Sequence, residues 1–225
     1  MIFDTSVQEL KCRVLREVAR LAFDDKLESN MLNIAQTIIP GPEPTSRCCI
    51  YKERAIVNER VKLAMGGNNE NPNVVEVLHI ACDECSVNGI QVSENCRGCL
   101  AHRCINSCPK GAISMVNHRA VIDKTKCVEC GKCMAVCPYS AIIKKNRPCV
   151  NACKPNAISI DENQAVKIDN NKCISCGACV YQCPFGAIMD KSFILDTIKL
   201  IKNSKDNTAY KVYAIVAPAI SGQFE

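Results

Sequence analysis

Large apolar side chains are scarce in this sequence of 225 residues, which has no tryptophan and only 4% aromatic residues. This scarcity limits the apolar core that the chain can build for its length. The N-terminus, MIFDTSVQELK, lacks the basic segment, apolar run and small-residue cleavage site of a secretory signal. The longest apolar stretch, VYAIVAPAI, is far too short to span a bilayer. We therefore expect a cytoplasmic protein with no membrane partner.

A nucleic-acid partner is not indicated either, because no lysine- or arginine-rich run with interleaved aromatic residues occurs. Cysteine, in contrast, is abundant, with 19 residues. Short secreted proteins reach such densities with disulfide frameworks, but a reducing cytoplasm keeps cysteines as thiols. Clustered thiols in that setting indicate metal ligands or redox centres. The formal net charge of +5 counts every cysteine as neutral, so metal-bound thiolates would make the chain less positive.

The first part of the chain, residues 1–75, contains few of the cysteines and has helical periodicity. Ser6 with Glu9 fits a capping box, and apolar residues then recur at helical spacing. A proline-rich stretch and a glycine pair supply later helix stops. The pattern predicts helices that begin at Ser6, that cover 27–38 and that cover 54–65.

Strand signals flank the cysteine-rich part of the chain. Residues 74–80 are dense in β-branched side chains and predict a buried strand. The C-terminal segment, 191–225, predicts a helix over 193–201 and a final strand over 210–215. Together these elements predict an α+β fold, in which a helical N-terminal region precedes tandem cysteine-rich modules.

An internal repeat defines those modules. The segment CPKGAISMVNHRAVIDKTKCVECGKC is echoed by CKPNAISIDENQAVKIDNNKCISCGAC, and CPYSAI or CPFGAI follows each of them. Each copy predicts a short strand, a turn, a second strand and a cysteine-rich loop. The repeat divides this part of the chain into a first module over 76–146 and a second module over 147–190.

Two segments match the motif C-x2-C-x2-C-x3-C-P in full. The first three cysteines of such a loop reach three irons of one [4Fe–4S] cubane, and the cysteine before proline ligates the other cluster of a pair. Gly131 and Gly177 lie inside these loops, where a missing side chain lets the backbone approach the cluster. The motif members are Cys127, Cys130, Cys133 and Cys137 with Pro138, and Cys173, Cys176, Cys179 and Cys183 with Pro184.

This interleaving rule sorts the cysteines into ligand sets. Two departures from the motif occur: the proline near Cys153 is one residue late, and four residues separate Cys99 from Cys104. Three clusters are the minimum and four are expected, and four would change the net charge to about −3. The predicted sets are Cys108 with Cys127, Cys130 and Cys133; Cys153 with Cys173, Cys176 and Cys179; Cys96, Cys99 and Cys104 with Cys137; and Cys82, Cys85, Cys149 and Cys183.

Other ligand arrangements compete with these sets. A zinc ribbon fits the two C-x2-C pairs formed by Cys82, Cys85, Cys96 and Cys99. His102 lies in a cysteine loop and is either a replacement ligand on one iron or a solvated side chain. His79 and His118 are expected to be structural or exposed. Three cysteines stay unassigned: Cys12 is expected to pack in its helix, and Cys48 and Cys49 are either one buried and one exposed thiol or a source of a replacement ligand beside Cys82 and Cys85.

The repeat resembles the bacterial 2[4Fe–4S] ferredoxin family over about residues 94–190. The whole order of motifs, from IPGPEPTSRCCIYKERAIV through IACDEC and CRGCLAHRC to VYAIVAPAISGQFE, is similar to the accessory N-terminal region of a group B [FeFe] hydrogenase. In that family the closing strand opens the catalytic domain. Motifs of the TSCCP and MPCxxK kinds, which hold the catalytic H-cluster, do not occur in this sequence. The resemblance therefore implies the conducting part of a hydrogenase, and no catalytic residue is predicted.

The sequence thus predicts an electron relay that passes single electrons between a ferredoxin or similar soluble carrier and a catalytic domain or subunit. Backbone N–H groups, burial and nearby charge would tune the clusters. One alternative is a standalone polyferredoxin that acts as a partner subunit or a redox sensor. Another is a radical enzyme or reductase, which needs a cubane held by only three cysteines.

Overall fold

A computed structural model describes residues 3–82, 85, 89–161 and 164–218. The chain forms two compact units, of which the first unit comprises Met1–Glu84 and Ala152–Glu225, and the second unit comprises Cys85–Asn151. The second unit is therefore inserted in the sequence of the first. This division differs from the sequential modules over 76–146 and 147–190 that the repeat predicts.

Helices and short antiparallel strands make up the regular structure of the described chain, together with two short 3-10 helices, Met31–Asn33 and His79–Ala81. The elements in chain order are α1 (Ser6–Phe23), α2 (Leu27–Asn30), α3 (Ile34–Ile38), α4 (Ile50–Ala64), β1 (Val75–Val77), β2 (Gly89–Val92), α5 (Arg103–Asn106), β3 (Ile113–Val116), β4 (Arg119–Ile122), α6 (Lys132–Ala135), β5 (Ile142–Lys145), α7 (Pro148–Ala152), β6 (Ile158–Ile160), β7 (Val166–Ile168), α8 (Ala178–Gln182), β8 (Ile188–Asp190) and α9 (Ile194–Asn203).

The N-terminal helices form the apolar core of the first unit. Helix α1 begins after Thr5, whose hydroxyl oxygen accepts a hydrogen bond from the N–H of Gln8 at 3.2 Å, so the cap lies one residue before the predicted Ser6. Helix α4 begins at Ile50, four residues earlier than predicted, and ends before the glycine pair as expected. Residues 6–64 are mostly helical in the structure. Their buried members include Val14, Val18, Leu21, Ile34, Ala35, Ile38, Val57, Val61 and Ala64.

Strand pairing explains why the units differ from the predicted modules. Each repeat hairpin forms locally, since β3 pairs with β4 and β6 pairs with β7. The remaining pairs join distant segments: β1 pairs antiparallel with β8, and β2 pairs antiparallel with β5. The strand predicted over 74–80 therefore belongs beside β8, at the end of the second repeat. Such non-local pairing leaves no mark in the spacing of the repeat.

The sequence predictions for the C-terminal segment are confirmed only in part. Helix α9 occupies almost the whole of the predicted helix over 193–201. The strand predicted over 210–215 is wrong, because residues 211–217 have no regular secondary structure and no described strand pairs with them. Tyr213 and Ile215 are exposed there. An apolar β-branched run becomes a strand only where it finds an edge to pair with. No helix in the described part of the chain is both long and apolar enough to cross a membrane.

Candidate iron–sulfur centres

In the second unit, four cysteines surround one small cavity. Cys108 precedes hairpin β3–β4, Cys127 and Cys130 lie in the loop after it, and Cys133 lies on α6. Ile90, Ile113 and Ile122 complete an apolar lining. The hairpin thus brings a distant cysteine next to a C-x2-C-x2-C loop. These four residues are the first ligand set that the sequence predicts.

The first unit repeats this arrangement with the second copy of the motif. Cys153 precedes hairpin β6–β7, Cys173 and Cys176 lie in the loop after it, and Cys179 lies on α8. A second small cavity is lined by all four of these cysteines together with Ala157, Ile158 and Ile168. The structure therefore brings the second predicted set together as well.

Charge interactions show which thiols lie near each other. Burial raises the pKa of the Cys104 thiol, and the neighbouring Cys99 and Cys137 raise it further. This neighbourhood contains three members of the third predicted set. The fourth member, Cys96, packs with Cys104 against the apolar cluster of the second unit. Its Sγ accepts a hydrogen bond from the N–H of Ala120 at 3.4 Å.

Burial and neighbouring thiols also raise cysteine pKa values at the two cavities. Burial raises the pKa of the Cys133 thiol, with smaller contributions from Cys127 and Cys108. Burial also raises the pKa of the Cys179 thiol, which the nearby Cys153 and Cys173 raise further. Thiols crowded in this way resist ionisation until positive charge is supplied, and a bound metal cluster supplies it.

Four turns of closely similar geometry present backbone donors to sulfur. In each, the N–H of an alanine donates to the Sγ of the cysteine four residues earlier, at 3.2 to 3.4 Å. In the first turn, the N–H groups of Ala112 and Lys110 lower the pKa of the Cys108 thiol. The residue before the alanine is left-handed in every case, with φ between +48° and +57°. The turns are Cys108–Ala112, Cys137–Ala141, Cys153–Ala157 and Cys183–Ala187.

Glycine has two different roles in the cysteine loops. Gly131 and Gly177 have φ of +77°, and no protein atom lies within 4 Å of the position that a Cβ would take. Their backbone conformation is therefore what favours glycine there. Gly98 has φ of +57°, and a Cβ at this residue would lie 2.1 Å from the carbonyl oxygen of His118. Close approach of two backbone segments thus requires glycine at position 98.

The residues present fit [4Fe–4S] clusters. Each cavity offers four thiol ligands, apolar walls and N–H groups aimed at sulfur, which are the features that hold and tune such clusters. Within the described residues, no three histidine, cysteine or acidic side chains are close enough together to hold one metal ion. A zinc site draws its ligands onto a single ion, whereas a cubane binds each thiolate to a different iron. Among the described residues, the cysteines of the alternative zinc ribbon, Cys82, Cys85, Cys96 and Cys99, do not form such a single-ion group.

The fourth predicted set has members in both units. Cys82 and Cys183 belong to the first unit, and both are buried. Cys149, which is buried, and Cys85, which is half-buried, belong to the second. Grouping these four residues remains a prediction from the sequence. All 19 cysteines lie in the described part of the chain, and there no two of them are joined by a disulfide bond.

The histidines and the unassigned cysteines lie in varied surroundings. His79 and His118 are exposed, as expected. His102 has φ of +44° and precedes α5.

Cys48 is exposed, whereas Cys49 is half-buried and caps α4. The Sγ of Cys49 accepts a hydrogen bond from the N–H of Lys52 at 3.4 Å, and this bond lowers the pKa of the thiol. Cys12 is half-buried in α1, and a ligand role for Cys48 or Cys49 stays untested.

Sequence reasoning missed two arginines beside the turn Cys183–Ala187. Arg60 on α4 and Arg47 before α4 both donate to the carbonyl oxygen of Phe185, each at 3.3 Å. Arg60 is only 3% exposed. A signal for it exists in the sequence, because Arg60 falls at helical spacing from the buried Ile56 and Val57 and so lies on the apolar face of α4.

Comparison with known proteins gives the same assignment for the repeat. Residues 95–141 and 147–187 match the 4Fe-4S dicluster domain family. An uncharacterised ferredoxin of Methanocaldococcus jannaschii is 30% identical over 102 residues, which cover 38% of this chain and 66% of the relative. A subunit of the ion-translocating oxidoreductase complex of Methanosarcina acetivorans is 39% identical over 69 residues, 30% of this chain and 26% of the relative.

A third relative is the electron transport protein HydN of Escherichia coli, 33% identical over 66 residues, which cover 28% of this chain and 38% of the relative. The chain thus spans from 26% to 66% of the length of these relatives. The matched region contains the cysteine loops and the two hairpins whose geometry is described above. Two segments of this chain are therefore similar to 4Fe-4S dicluster domains, and their many cysteines support multiple [4Fe–4S] clusters.

Proposed function

We propose that the chain relays single electrons through four [4Fe–4S] clusters, three of which have their ligands within one unit each. The observation that carries this proposal is the pair of cavities, each lined by four cysteines of one predicted set. The ligand sets are Cys108, Cys127, Cys130 and Cys133; Cys153, Cys173, Cys176 and Cys179; Cys96, Cys99, Cys104 and Cys137; and Cys82, Cys85, Cys149 and Cys183.

The protein's own groups hold thiolates and limit their contact with water. The N–H groups of Ala112, Ala141, Ala157 and Ala187 donate to cysteine sulfur and stabilise its negative charge. Ile90, Ile113 and Ala120 form the apolar wall of the second unit. When bound, each cluster supplies one-electron redox chemistry at a potential set by hydrogen bonds, charge and exposure. No acid, base or nucleophile is needed.

Two cysteine loops offer routes for electrons to reach a partner. Cys130 and Cys176 are exposed, unlike the buried Cys133 and Cys179 of the same sets. A soluble carrier such as a ferredoxin can therefore approach either set from the side of its exposed cysteine. We assign this carrier role to the cytoplasm, because cysteines that serve as cluster ligands suit a reducing compartment.

The second partner of the relay would be a catalytic domain or subunit of an oxidoreductase. The names of two relatives, a subunit of an oxidoreductase complex and an electron transport protein, support a role beside a larger enzyme. The order of motifs along the chain favours an [FeFe] hydrogenase of group B as that enzyme. The relative named as a ferredoxin favours instead a standalone polyferredoxin, acting as a partner subunit or redox sensor.

Electron uptake tests the relay. The anaerobically purified chain should accept at least three electrons in a dithionite titration and should return them to an oxidised bacterial ferredoxin in a stopped-flow experiment. Uptake of fewer than two electrons, or no transfer to the ferredoxin, would contradict the relay. Sequencing the gene beyond Glu225 distinguishes the partners: an open frame that continues into a TSCCP-like motif supports the hydrogenase, and a stop codon supports the standalone protein.

A further inference from the structure

A buried positive charge on helix α4 has no acidic partner among the described residues. Arg60 is 3% exposed, and it forms no ion pair with a carboxylate of the described residues. Its Nε has no hydrogen-bond acceptor in this part of the chain. The buried carboxylate on the same helix, Glu53, accepts hydrogen bonds from Thr45 and Ser46 instead. A guanidinium buried in this way is costly unless some other negative charge lies close to it.

The guanidinium of Arg60 lies against the turn Cys183–Ala187. Its Nη1 donates to the Sδ of Met189 at 2.7 Å, and its Nη2 donates to the carbonyl oxygen of Phe185 at 3.3 Å. A Cβ built on Gly186 would lie 2.7 Å from the Nη2. Phe185 is the second residue after Cys183, and Gly186 is the third. The positive charge is thus directed at the turn whose sulfur accepts the N–H of Ala187.

Arg47 adds a second guanidinium at the same turn. Its Nη2 donates to the carbonyl oxygen of Phe185 at 3.3 Å, and its guanidinium lies 5.3 Å from the centroid of the Phe185 ring. Two cations therefore converge on one carbonyl group. Burial and the charge of Arg47 lower the pKa of Arg60 to about 10, while Cys183 acts in the opposite direction, so Arg60 stays charged at neutral pH.

We propose that Arg60, with the help of Arg47, is the counter-charge of the cluster ligated by Cys183 and raises the reduction potential of that cluster above the value it would otherwise have. Reduction adds a negative charge, which a buried cation close to the ligand stabilises. The inference rests on the proposed function, because it requires Cys183 to be a cluster ligand. Arg60 acts through the turn and is a tuning residue.

The turn Cys137–Ala141 has the same backbone but different surroundings. Tyr139 is 50% exposed, and Ser140 is exposed at the position that corresponds to the buried Gly186. Water screens charge there. A change at Arg60 should therefore affect one cluster of the chain and leave the others near their usual potentials.

The test is an EPR-monitored redox titration of the full chain, purified anaerobically with its clusters. Replacement of Cys183 by Ser should remove or alter one signal and so identify the cluster. Arg60→Gln should lower the potential of that same signal enough to change its oxidised-to-reduced ratio at least tenfold, which is about 59 mV for a one-electron couple. Arg60→Lys keeps a positive charge and should shift the potential much less.

The matched control is Arg54→Gln on the same helix, where the guanidinium donates to the carbonyl oxygen of Ile39 at 3.0 Å and not to the cysteine turn. This variant should leave every potential unchanged. The inference fails if Arg60→Gln keeps its iron and leaves the Cys183-dependent signal unshifted, or if Arg54→Gln shifts it equally. If Arg60→Gln does not retain iron, Arg47→Gln must lower the same potential, and no shift in Arg47→Gln overturns the inference. An unchanged spectrum of Cys183→Ser would instead contradict the ligand assignment in the proposed function.

Discussion

Two turns with the same backbone, one in each unit, have opposite surroundings. The open turn, Cys137–Ala141, carries the exposed residues Tyr139 and Ser140. The covered turn, Cys183–Ala187, is contacted by Val7 and Arg60 of the N-terminal helices, so that a Cβ on Gly186 would lie 2.5 Å from the side chain of Val7. The motif therefore fixes the local geometry of a turn, whereas the attached helices decide its electrostatic environment.

This contrast shows what the helical region contributes to the molecule. The repeat alone supplies thiols, N–H donors and hairpins in both units. The helices α1 and α4 contribute the apolar core of the first unit and bring Arg60 to the covered turn. The two halves of the repeat therefore have unequal surroundings, which under the proposed relay role would give their clusters unequal potentials.

The largest expected effect comes from removing a buried thiol ligand in each unit. Cys133→Ser and Cys179→Ser should each lower the iron content by about four atoms per chain, because each belongs to a different proposed ligand set for one cubane. Every other cluster should persist, since the two cavities have no cysteine in common. Iron analysis with EPR spin counting measures this loss. Loss of all iron in either variant would show that the units do not load independently.

A side chain added at Gly186 in the covered turn should destabilise the protein. The same substitution at Gly111, where space is available, should be tolerated. Gly186→Asn should destabilise the first unit by about 1–3 kcal/mol, because its Cβ would overlap Val7 and the held guanidinium of Arg60. Asparagine itself suits this backbone, since Asn156 has φ of +52° at the corresponding position. The measurement is anaerobic thermal unfolding followed by circular dichroism.

Gly111→Asn is the control for that substitution. Gly111 has φ of +57°, and no atom lies within 4 Å of the position of its Cβ. We expect a change in stability within about 0.5 kcal/mol. Equal destabilisation by both variants would mean that backbone strain, and not the covering helices, makes glycine necessary at 186.

Buried Glu53 anchors the start of α4, the helix that brings Arg60 to the covered turn. Its carboxylate accepts hydrogen bonds from the N–H and hydroxyl of Thr45 at 2.8 and 2.5 Å and from the hydroxyl of Ser46 at 2.8 Å. Burial opposes ionisation of Glu53, but these bonds outweigh it and hold the pKa of the carboxyl below its usual value of 4.5. Glu53→Gln should therefore cost about 1.5–3 kcal/mol at neutral pH.

The pH dependence of this stabilisation has a definite sign. A lowered pKa contributes stability that is present above 4.5 and is lost as the pH falls through the lower value of the folded state. Glu59→Gln is the control, because Glu59 is a partly exposed residue of the same helix whose partner is Lys62. Its cost should not exceed about 1 kcal/mol. Equal thermal midpoints for the Glu53 and Glu59 variants would rule out an anchoring role for Glu53.

The smallest expected effect concerns the surface contact between α1 and β8. The Nζ of Lys11 lies 2.6 Å from the carboxylate of Asp190, and both side chains are partly exposed. Lys11→Met should lower the free energy of unfolding by about 0–1 kcal/mol, and salt should reduce this difference. A larger, salt-independent loss would show that covering the turn depends on this ion pair more than on the apolar core.

Local sequence patterns predicted the parts of the molecule that form locally. The cysteine loops set the left-handed residues Glu129 and Ser175 at corresponding positions, with φ of +52° and +53°. The repeat hairpins and the helical N-terminal region follow from alternation and helical periodicity. The two cavities could also be predicted, because a cysteine before a short hairpin returns to the loop after it.

The remaining features depend on contacts between distant segments. The pairing of β1 with β8 joins residues 75–77 to 188–190, and no local signal encodes that register. Strand β2 is four residues long and was not predicted, because it is defined only by its pairing with β5. Arg60 was overlooked because arginine is usually exposed. Its role cannot be predicted from its position on the apolar face of α4 alone, because its contact is with the distant covered turn.

The most direct measurement of the central claim is iron and acid-labile sulfide content combined with EPR spin counting on the anaerobically purified chain. Four cubanes predict about sixteen irons and as many sulfides per chain, with spins from distinct clusters appearing on reduction. A content of about eight irons or fewer would contradict the four ligand sets, and stoichiometric zinc in place of iron would contradict cluster binding itself.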